Sequence, residues 1–111
     1  MKTINWSDFE QVELRVGTVV KVESFEKTKK PALKVWVDFG VFGILQTSAQ
    51  ITAYYTAETL VGRQVVGCIN LGEKNIAGFV SQFLLIGAPD ASGAIRLIGF
   101  DGYIPNGNKL C

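Results

Sequence analysis

The sequence of 111 residues contains no histidine, and its two cysteines, Cys68 and Cys111, lie far apart. Histidine is the usual general base, the usual activator of a nucleophilic serine or cysteine, and the commonest metal ligand. Two separated cysteines provide neither the spacing of a zinc site nor a secreted disulfide framework. We therefore predict a protein that is not an enzyme and that uses no metal and no cofactor.

Long apolar runs and charged residues are also scarce. No stretch reaches the ~18 apolar residues of a membrane span, and residues 1–13 lack the apolar core of an export signal. We expect a cytoplasmic protein without membrane insertion. Charged residues make up 19% of the chain, against roughly 25% in an average globular domain. A surface with few charged residues exposes more apolar area. This predicts contact with another chain, most simply a second copy in a homodimer.

The sequence does contain a series of short segments in which apolar residues alternate. The length fits a single domain over residues 1–111. The predicted strands are separated by glycine, proline or polar loops and cover residues 14–22, 32–39, 41–47, 64–71 and 79–87. A short helix precedes the first strand, and a second lies between the third and fourth. This order predicts an all-β OB-fold, a five-stranded Greek-key barrel.

Local signals predict the helix ends and a bend. Ser7 and Glu10 have capping-box spacing, as do Thr47 and Gln50, so helices are predicted to begin near Ser7 and Thr47. Gly17 interrupts the first strand, where it predicts a bulge or bend.

Lysines cluster in the two loops that flank the usual binding face of an OB-fold. That face lies across strands two and three, between the loop joining strands one and two and the loop joining strands four and five. The candidate RNA-binding residues in and beside these loops are Lys29, Lys30, Lys34, Lys74 and Asn75. A positive patch favours a phosphate-bearing partner. The alternative is a solvated loop whose charge is offset by Glu23, Glu26 and Glu73.

Aromatic residues accompany the lysines. Trp36 is predicted to face outward two residues from Lys34, and stacking beside a cation is typical of single-stranded nucleic-acid binding. Alternatively, Trp36, Phe42 and Phe79 line an apolar groove for unfolded polypeptide. A further alternative for Trp36 and Phe42 is burial against a dimer partner.

Neutral polar residues occupy the ends and outward positions of the predicted elements. Those predicted to contact RNA are Ser48, Gln50, Asn70, Ser81 and Gln82. Their hydroxyl and amide groups can pair with base edges, with sugar hydroxyls or with a peptide backbone. The alternative for Ser48 is helix capping.

Five segments resemble the CsaA-like family, which is related to the tRNA-binding domain appended to methionyl-tRNA synthetases. They are DFEQVELRVGTVVKVESF (8–25), PALKVWVDFG (31–40), QTSAQIT (46–52), INLGEKNIAGFVSQFLLIG (69–87) and PNGNKL (105–110). The resemblance implies an OB-fold homodimer that binds tRNA and, in the CsaA branch, a chaperone for polypeptides awaiting export. The residues that match the family's motifs are Ser48, Ala49, Gln50, Asn70 and Ser81.

The sequence departs from the family at the predicted RNA site. Gln82 stands where the family commonly has glutamate, and Leu84 where tRNA-binding relatives often have methionine. The loop 71–75 lacks the proline and two arginines that CsaA proteins often carry there. Because arginine can bind phosphate through two parallel hydrogen bonds, these departures are expected to affect RNA affinity more than the fold or the dimer.

Overall fold

An antiparallel sheet curls into a half-barrel and forms the body of the protein. In the computed structural model, which describes residues 1–111, the strand order of this sheet is β3-β2-β1-β4-β7. The elements are α1 (Trp6–Glu10), β1 (Leu14–Phe25), β2 (Ala32–Asp38), β3 (Ile44–Ala49), α2 (Ala57–Leu60), β4 (Gln64–Cys68), β5 (Lys74–Ile76), β6 (Phe79–Ser81), β7 (Leu84–Leu85), β8 (Gly87–Pro89) and β9 (Ile95–Leu97). Strands β5 and β6 form one separate hairpin, and β8 and β9 another. The predicted all-β barrel with two small helices is confirmed, and neither helix is long and apolar enough to cross a membrane.

Strand β2 and Phe39, the residue that follows it, supply much of the core. Residues along this extended segment alternate between the barrel interior and the outer face. Val35, Val37 and Phe39 are fully buried, whereas Lys34 and Trp36 on the opposite face are half-buried. The predicted alternation is therefore confirmed. The same core cluster includes side chains from β1, α2, β4 and the segment between β6 and β7, namely Val19, Leu60, Val65 and Phe83.

Gly17 allows close packing and is not the site of the bulge. A Cβ atom at residue 17 would lie 2.8 Å from the Phe39 ring and 2.9 Å from the Asp38 carbonyl oxygen, closer than such contacts allow. The register of β1 against β2 instead shifts between Val19 and Lys21. The predicted bulge at Gly17 is therefore wrong in position by a few residues. Val20 has no partner on β2 at this shift and is exposed, whereas Val19 pairs with Val37 and is buried.

The first helix lies where it was predicted, but its capping residue was wrong, and the predicted start of the second helix is wrong. Helix α1 begins after Asn5, whose backbone N–H donates to the Asp8 carboxylate at 3.3 Å. Helix α2 begins after Thr56, whose hydroxyl oxygen accepts from the Thr59 backbone N–H at 3.3 Å. Thr47 cannot cap a helix because it lies inside β3, where its hydroxyl donates to the Phe83 carbonyl oxygen at 2.7 Å.

Candidate nucleic-acid interface

The β5–β6 hairpin lies between two neighbouring clefts. The first, which we call the serine pocket, has a volume of about 440 Å³ and is lined by Thr47, Ser48, Leu71, Gly72, Glu73, Lys74, Ile76, Ser81, Phe83 and Leu84. The second, which we call the lysine cleft, has a volume of about 460 Å³ and is lined by Lys27, Thr28, Lys29, Lys30, Gln50, Ile76 and Ala77. Ile76 lines both clefts, so they adjoin across the hairpin.

A tight turn closes this hairpin. Ala77 and Gly78 both have positive φ, 49° and 87°, as the two central residues of a type I′ turn require. The side-chain oxygen of Asn75 accepts from the Gly78 N–H at 2.8 Å. The predicted exit loop 72–78 thus contains strand β5, and the oxygen of Asn75 is used to form the turn.

Ser48 and Ser81 meet at the floor of the serine pocket. The Ser48 backbone N–H donates to the Ser81 hydroxyl oxygen at 3.0 Å, and the two hydroxyl oxygens are 3.4 Å apart. Ser48 lies on β3 and Ser81 on β6, and the two strands approach because this is where the barrel closes. The structure therefore brings together two residues that were predicted to act in one site.

Gln82 helps to close the barrel. Its side-chain oxygen accepts from the Gln46 backbone N–H at 3.1 Å, and its own backbone N–H donates to the Gln46 carbonyl oxygen at 2.8 Å. The Gln46 side chain in turn donates to the Val80 carbonyl oxygen at 2.9 Å. The hydrogen bonds from Gln82 thus pair the backbone N–H and carbonyl oxygen of Gln46 at the edge of β3. In the middle of a sheet, a neighbouring strand would supply these partners.

We expect the Gln82→Ala variant to lower the free energy of unfolding by about 1–3 kcal/mol, because the half-buried Gln46 N–H loses its acceptor. Gln82→Glu keeps an acceptor oxygen and is expected to lose less than half as much. Urea unfolding followed by tryptophan fluorescence measures both. Equal midpoints for the wild type and the alanine variant would show that this hydrogen bond does not stabilise the barrel.

Cations and aromatic rings alternate on the outer face beside these clefts. The Lys21 ammonium lies 4.6 Å from the Trp36 ring centroid, and the Phe79 ring meets Trp36 edge to face at 5.8 Å. The Lys34 ammonium lies 4.8 Å from the centroid of Phe25 and 5.1 Å from that of Phe79. The outward position predicted for Trp36 is confirmed. A base that stacked on the face of Trp36 now covered by Lys21 would have to displace that ammonium.

Seven predicted site residues line neither cleft, namely Lys34, Trp36, Phe42, Asn70, Asn75, Phe79 and Gln82. Two of them, Phe42 and Asn70, make their contacts elsewhere on the molecule. Phe42, in the turn between β2 and β3, packs under the Arg15 guanidinium, which is 4.7 Å from its ring centroid. Asn70 donates to the Gln11 carbonyl oxygen at 2.6 Å and accepts from the Glu13 N–H at 3.0 Å, so it joins the end of β4 to the segment after α1. Trp36 and Phe79 touch, but Phe42 is not part of their cluster.

Comparison with known proteins adds a family to this geometry. Residues 14–109 match the model of a family described as "putative tRNA binding domain". The chain belongs to this family. The structure of chaperone CsaA from Bacillus anthracis superposes with a TM-score of 0.92 at 38% identity, over 99% of this chain and 100% of that one. The structure of a MetRS-related protein from Pyrococcus horikoshii superposes with a TM-score of 0.88 at 30% identity, over all of both chains.

Methionine–tRNA ligases carry a similar segment. The enzyme of Methanocaldococcus jannaschii is 36% identical over 110 residues, which are 99% of this chain and 17% of that enzyme. This chain therefore spans about a sixth of the length of such relatives. The predicted resemblance to CsaA-like proteins and to the tRNA-binding domain of methionyl-tRNA synthetases is confirmed.

Three residues of this tRNA-binding-family domain were missed as site residues by the sequence reasoning. Leu71 and Leu84 form an exposed apolar rim around the serine pocket. Thr28 orders the loop 26–31, which carries Lys29 and Lys30. Its hydroxyl lies within hydrogen-bonding distance of two carbonyl oxygens, that of Phe25 at 3.1 Å and that of Lys30. The alternation of buried Phe83 with outward Leu84 was a usable signal for the rim, whereas no sequence pattern marked Thr28.

The carboxylates with shifted pKa values line neither cleft. Hydrogen bonds from Tyr54 and Ser92 hold the pKa of Asp90 far below its usual range. The pKa of Glu13 is lowered chiefly by its hydrogen bond with Arg15, and that of Glu58 by backbone and Thr56 hydrogen bonds. The two clefts instead offer ammonium groups, hydroxyls, an amide, the Glu73 carboxylate and apolar walls, which are groups suited to binding.

Proposed function

We propose that this protein binds tRNA without catalysing a reaction, and that it does so as a cytoplasmic homodimer of single-domain chains. The observation that carries the proposal is the lysine cleft beside the serine pocket, on a chain of the putative tRNA-binding family. The lysine cleft suits phosphates because of its positive charge. The serine pocket suits base edges and sugars because it offers hydroxyls beside apolar walls.

The proposed contacts follow from where the side chains lie. Lys29 and Lys30 line the lysine cleft, Lys74 lines the serine pocket, and Lys34 lies on the outer face between Phe25 and Phe79. We assign these four to phosphates. Ser48, Ser81 and Gln50 are assigned to sugars or bases. Direct contact of Asn70, Asn75 and Gln82 with RNA stays a prediction, because each also holds backbone groups of the fold.

Exposed apolar side chains support the homodimer. Trp6 is 81% exposed, and helix α1 buries none of its residues. Val41 and Tyr103 are also exposed. Single exposed apolar residues are common, but an exposed tryptophan on a helix without buried residues is suited to a contact with a second chain.

A titration of labelled tRNA with the protein, followed by fluorescence anisotropy, tests the proposal. We expect micromolar binding that weakens steeply between ~50 mM and ~200 mM salt, since each phosphate contact releases counterions. Light scattering of the protein without tRNA is expected to give twice the chain mass of 12.1 kDa. Absence of binding at low salt would refute the tRNA assignment, and a monomer mass would refute the homodimer.

A second candidate function is that of a chaperone for unfolded or export-destined polypeptides. Two observations favour it: the Bacillus anthracis relative is named a chaperone, and Leu71 and Leu84 present apolar surface at a pocket rim. Protection of several denatured clients from aggregation is the measurement that checks it. Protection that is lost when tRNA is added would place both partners at one surface, whereas failure with all clients would argue against this function.

A further inference from the structure

We infer that the serine pocket receives one unpaired nucleobase of the RNA and that the lysine cleft holds the neighbouring phosphates. The bound RNA then has at least one base turned out of its stack. This inference rests on the proposed tRNA binding and specifies which part of the RNA occupies each cleft. Four observations support it: the unused hydroxyl hydrogen at the pocket floor, the low exposure of that floor, the apolar walls of the pocket, and the positive charge of the adjoining lysine cleft.

The pocket floor offers a hydrogen-bond donor that the protein does not use. Ser48 and Ser81 carry two hydroxyl hydrogens, and the one protein acceptor within reach of these hydrogens is the other serine's oxygen, 3.4 Å away. The Ser81 oxygen also accepts from the Ser48 backbone N–H. At least one hydroxyl hydrogen therefore has no protein acceptor and is available to a ligand. Every nucleobase carries acceptors on its Watson–Crick edge, and flipped bases are commonly read at that edge.

The two hydroxyls are recessed, which favours a group that projects from the RNA. Ser81 is only 8% exposed and Ser48 is partly buried, whereas the rim residues Leu71 and Leu84 are 65% and 53% exposed. A ligand that bonds to these hydroxyls therefore enters the pocket beside the leucines. In a duplex the Watson–Crick edges are already paired with each other and stacked inside the helix. An unpaired base from a loop or a strand end can present its edge to the floor.

The walls suit the two flat faces of a base. Leu71, Ile76 and Leu84 contribute apolar surface, and flipped bases are held between apolar or aromatic side chains. Glu73 lines the same pocket, where its carboxylate can accept hydrogen bonds from exocyclic amino groups. The volume of about 440 Å³ falls within the range of roughly 300–1,000 Å³ that is typical of small-ligand pockets.

Charge on both sides of the pocket suits the backbone that carries the base. Lys74 lines the serine pocket itself, and Lys29 and Lys30 line the cleft that adjoins it across Ile76. A nucleotide presents its phosphates next to its base, so one strand can place a base in the first cleft while its phosphates follow the lysines. An unfolded polypeptide would use the leucine rim but would not need this row of ammonium groups, so the arrangement favours RNA.

The test compares three labelled probes of about 12 nucleotides, within the site size of an OB-fold, in one buffer at low salt. They are a single strand of mixed sequence, the same strand paired with its complement, and an abasic ribose-phosphate strand of equal length. We expect the single strand to bind at least about tenfold more tightly than the abasic strand or the duplex, since each stacked base contributes strongly. The Leu84→Ser variant is expected to remove most of this preference and to leave abasic binding unchanged. Val61→Ser, at a similarly exposed apolar residue outside both clefts, is the matched control.

The outcomes separate this inference from the proposed function. Salt-sensitive tRNA binding with equal affinity for the single strand and the abasic strand would overturn the base pocket and leave tRNA binding intact. No binding to any probe or to tRNA would overturn both. Binding of a denatured polypeptide that Leu84→Ser abolishes, without any preference for the single strand, would assign the pocket to peptide and overturn the inference.

Discussion

Replacement of both Lys29 and Lys30 by alanine is expected to weaken tRNA binding on the order of 10- to 100-fold at ~50 mM salt. It is also expected to lower the slope of log affinity against log salt by about 1.5 units, because each lost phosphate contact removes roughly 0.7–0.9. Anisotropy titrations at four or five salt concentrations measure both quantities. The two effects should appear together, since both arise from the release of counterions.

The structure gives the reason why these two lysines should act jointly. Both line the lysine cleft beside Gln50, and the Thr28 hydroxyl holds the loop that carries them. No salt bridge to an acidic side chain occupies either ammonium group, whereas Lys21 is paired with Glu23 at 3.1 Å and Lys109 lies 3.6 Å from Glu13. Their charges are therefore available to a ligand.

Two controls distinguish a cleft contact from a general charge effect. Lys2→Ala removes one charge from the N-terminal segment, which lines neither cleft, and should leave the slope nearly unchanged. The double replacement of Lys29 and Lys30 by arginine keeps both charges and should retain binding. An unchanged slope in the double alanine variant would remove the lysine cleft from the RNA site.

Phe39→Ala is expected to lower the free energy of unfolding by about 3–5 kcal/mol, through lost apolar burial and a residual cavity. Small domains have total stabilities of about 5–15 kcal/mol, so the variant should be close to unfolding at 25 °C. Phe39 is fully buried and meets the Phe83 ring edge to face at 5.0 Å. Urea unfolding measures the loss.

Phe42→Ala provides a control three residues along the chain. Phe42 is 41% exposed and packs against the Arg15 guanidinium, so its loss should cost only about 1 kcal/mol. Equal stabilities of the two variants would contradict the packing described above. Because the Phe83 ring lines the serine pocket and its carbonyl oxygen accepts from Thr47, Phe39→Ala should also reduce the fraction of protein able to bind RNA.

Strand β2 shows why much of the fold was predictable. Val35, Val37 and Phe39 alternate with Lys34 and Trp36, and this period of two leaves a single choice of buried face. The helix starts were not predictable in the same way. Capping-box spacing is present at Thr47, but β3 continues through Ala49 and the Thr47 hydroxyl bonds to Phe83. The position of Thr47 in the sheet, where it bonds to the distant Phe83, therefore outweighed the local capping-box pattern.

The sequence identified only part of the candidate site, because distant hydrogen-bond partners also decide what each side chain there does. Ser48 and Ser81 were both proposed from their residue types and from the family resemblance, and they do meet. Gln82 was proposed alongside them, but its side chain bonds to the backbone of Gln46 on β3. Leu71 and Leu84 were not proposed as site residues, because an apolar residue in a strand pattern is usually part of the core.

The sequence by itself determined the strand alternation, the all-β class, the lysine-bearing loops and the membership in the tRNA-binding family. These properties follow from residues that are close together in the sequence, because side-chain alternation, turn residues and family motifs are all local patterns. Only the tertiary structure decided which polar side chains are free for a ligand. The hydrogen bonds that occupy Gln82 and bring Ser81 to Ser48 join residues 36 and 33 positions apart. No local pattern can specify them, because they form only when the barrel closes and β6 meets the edge of β3.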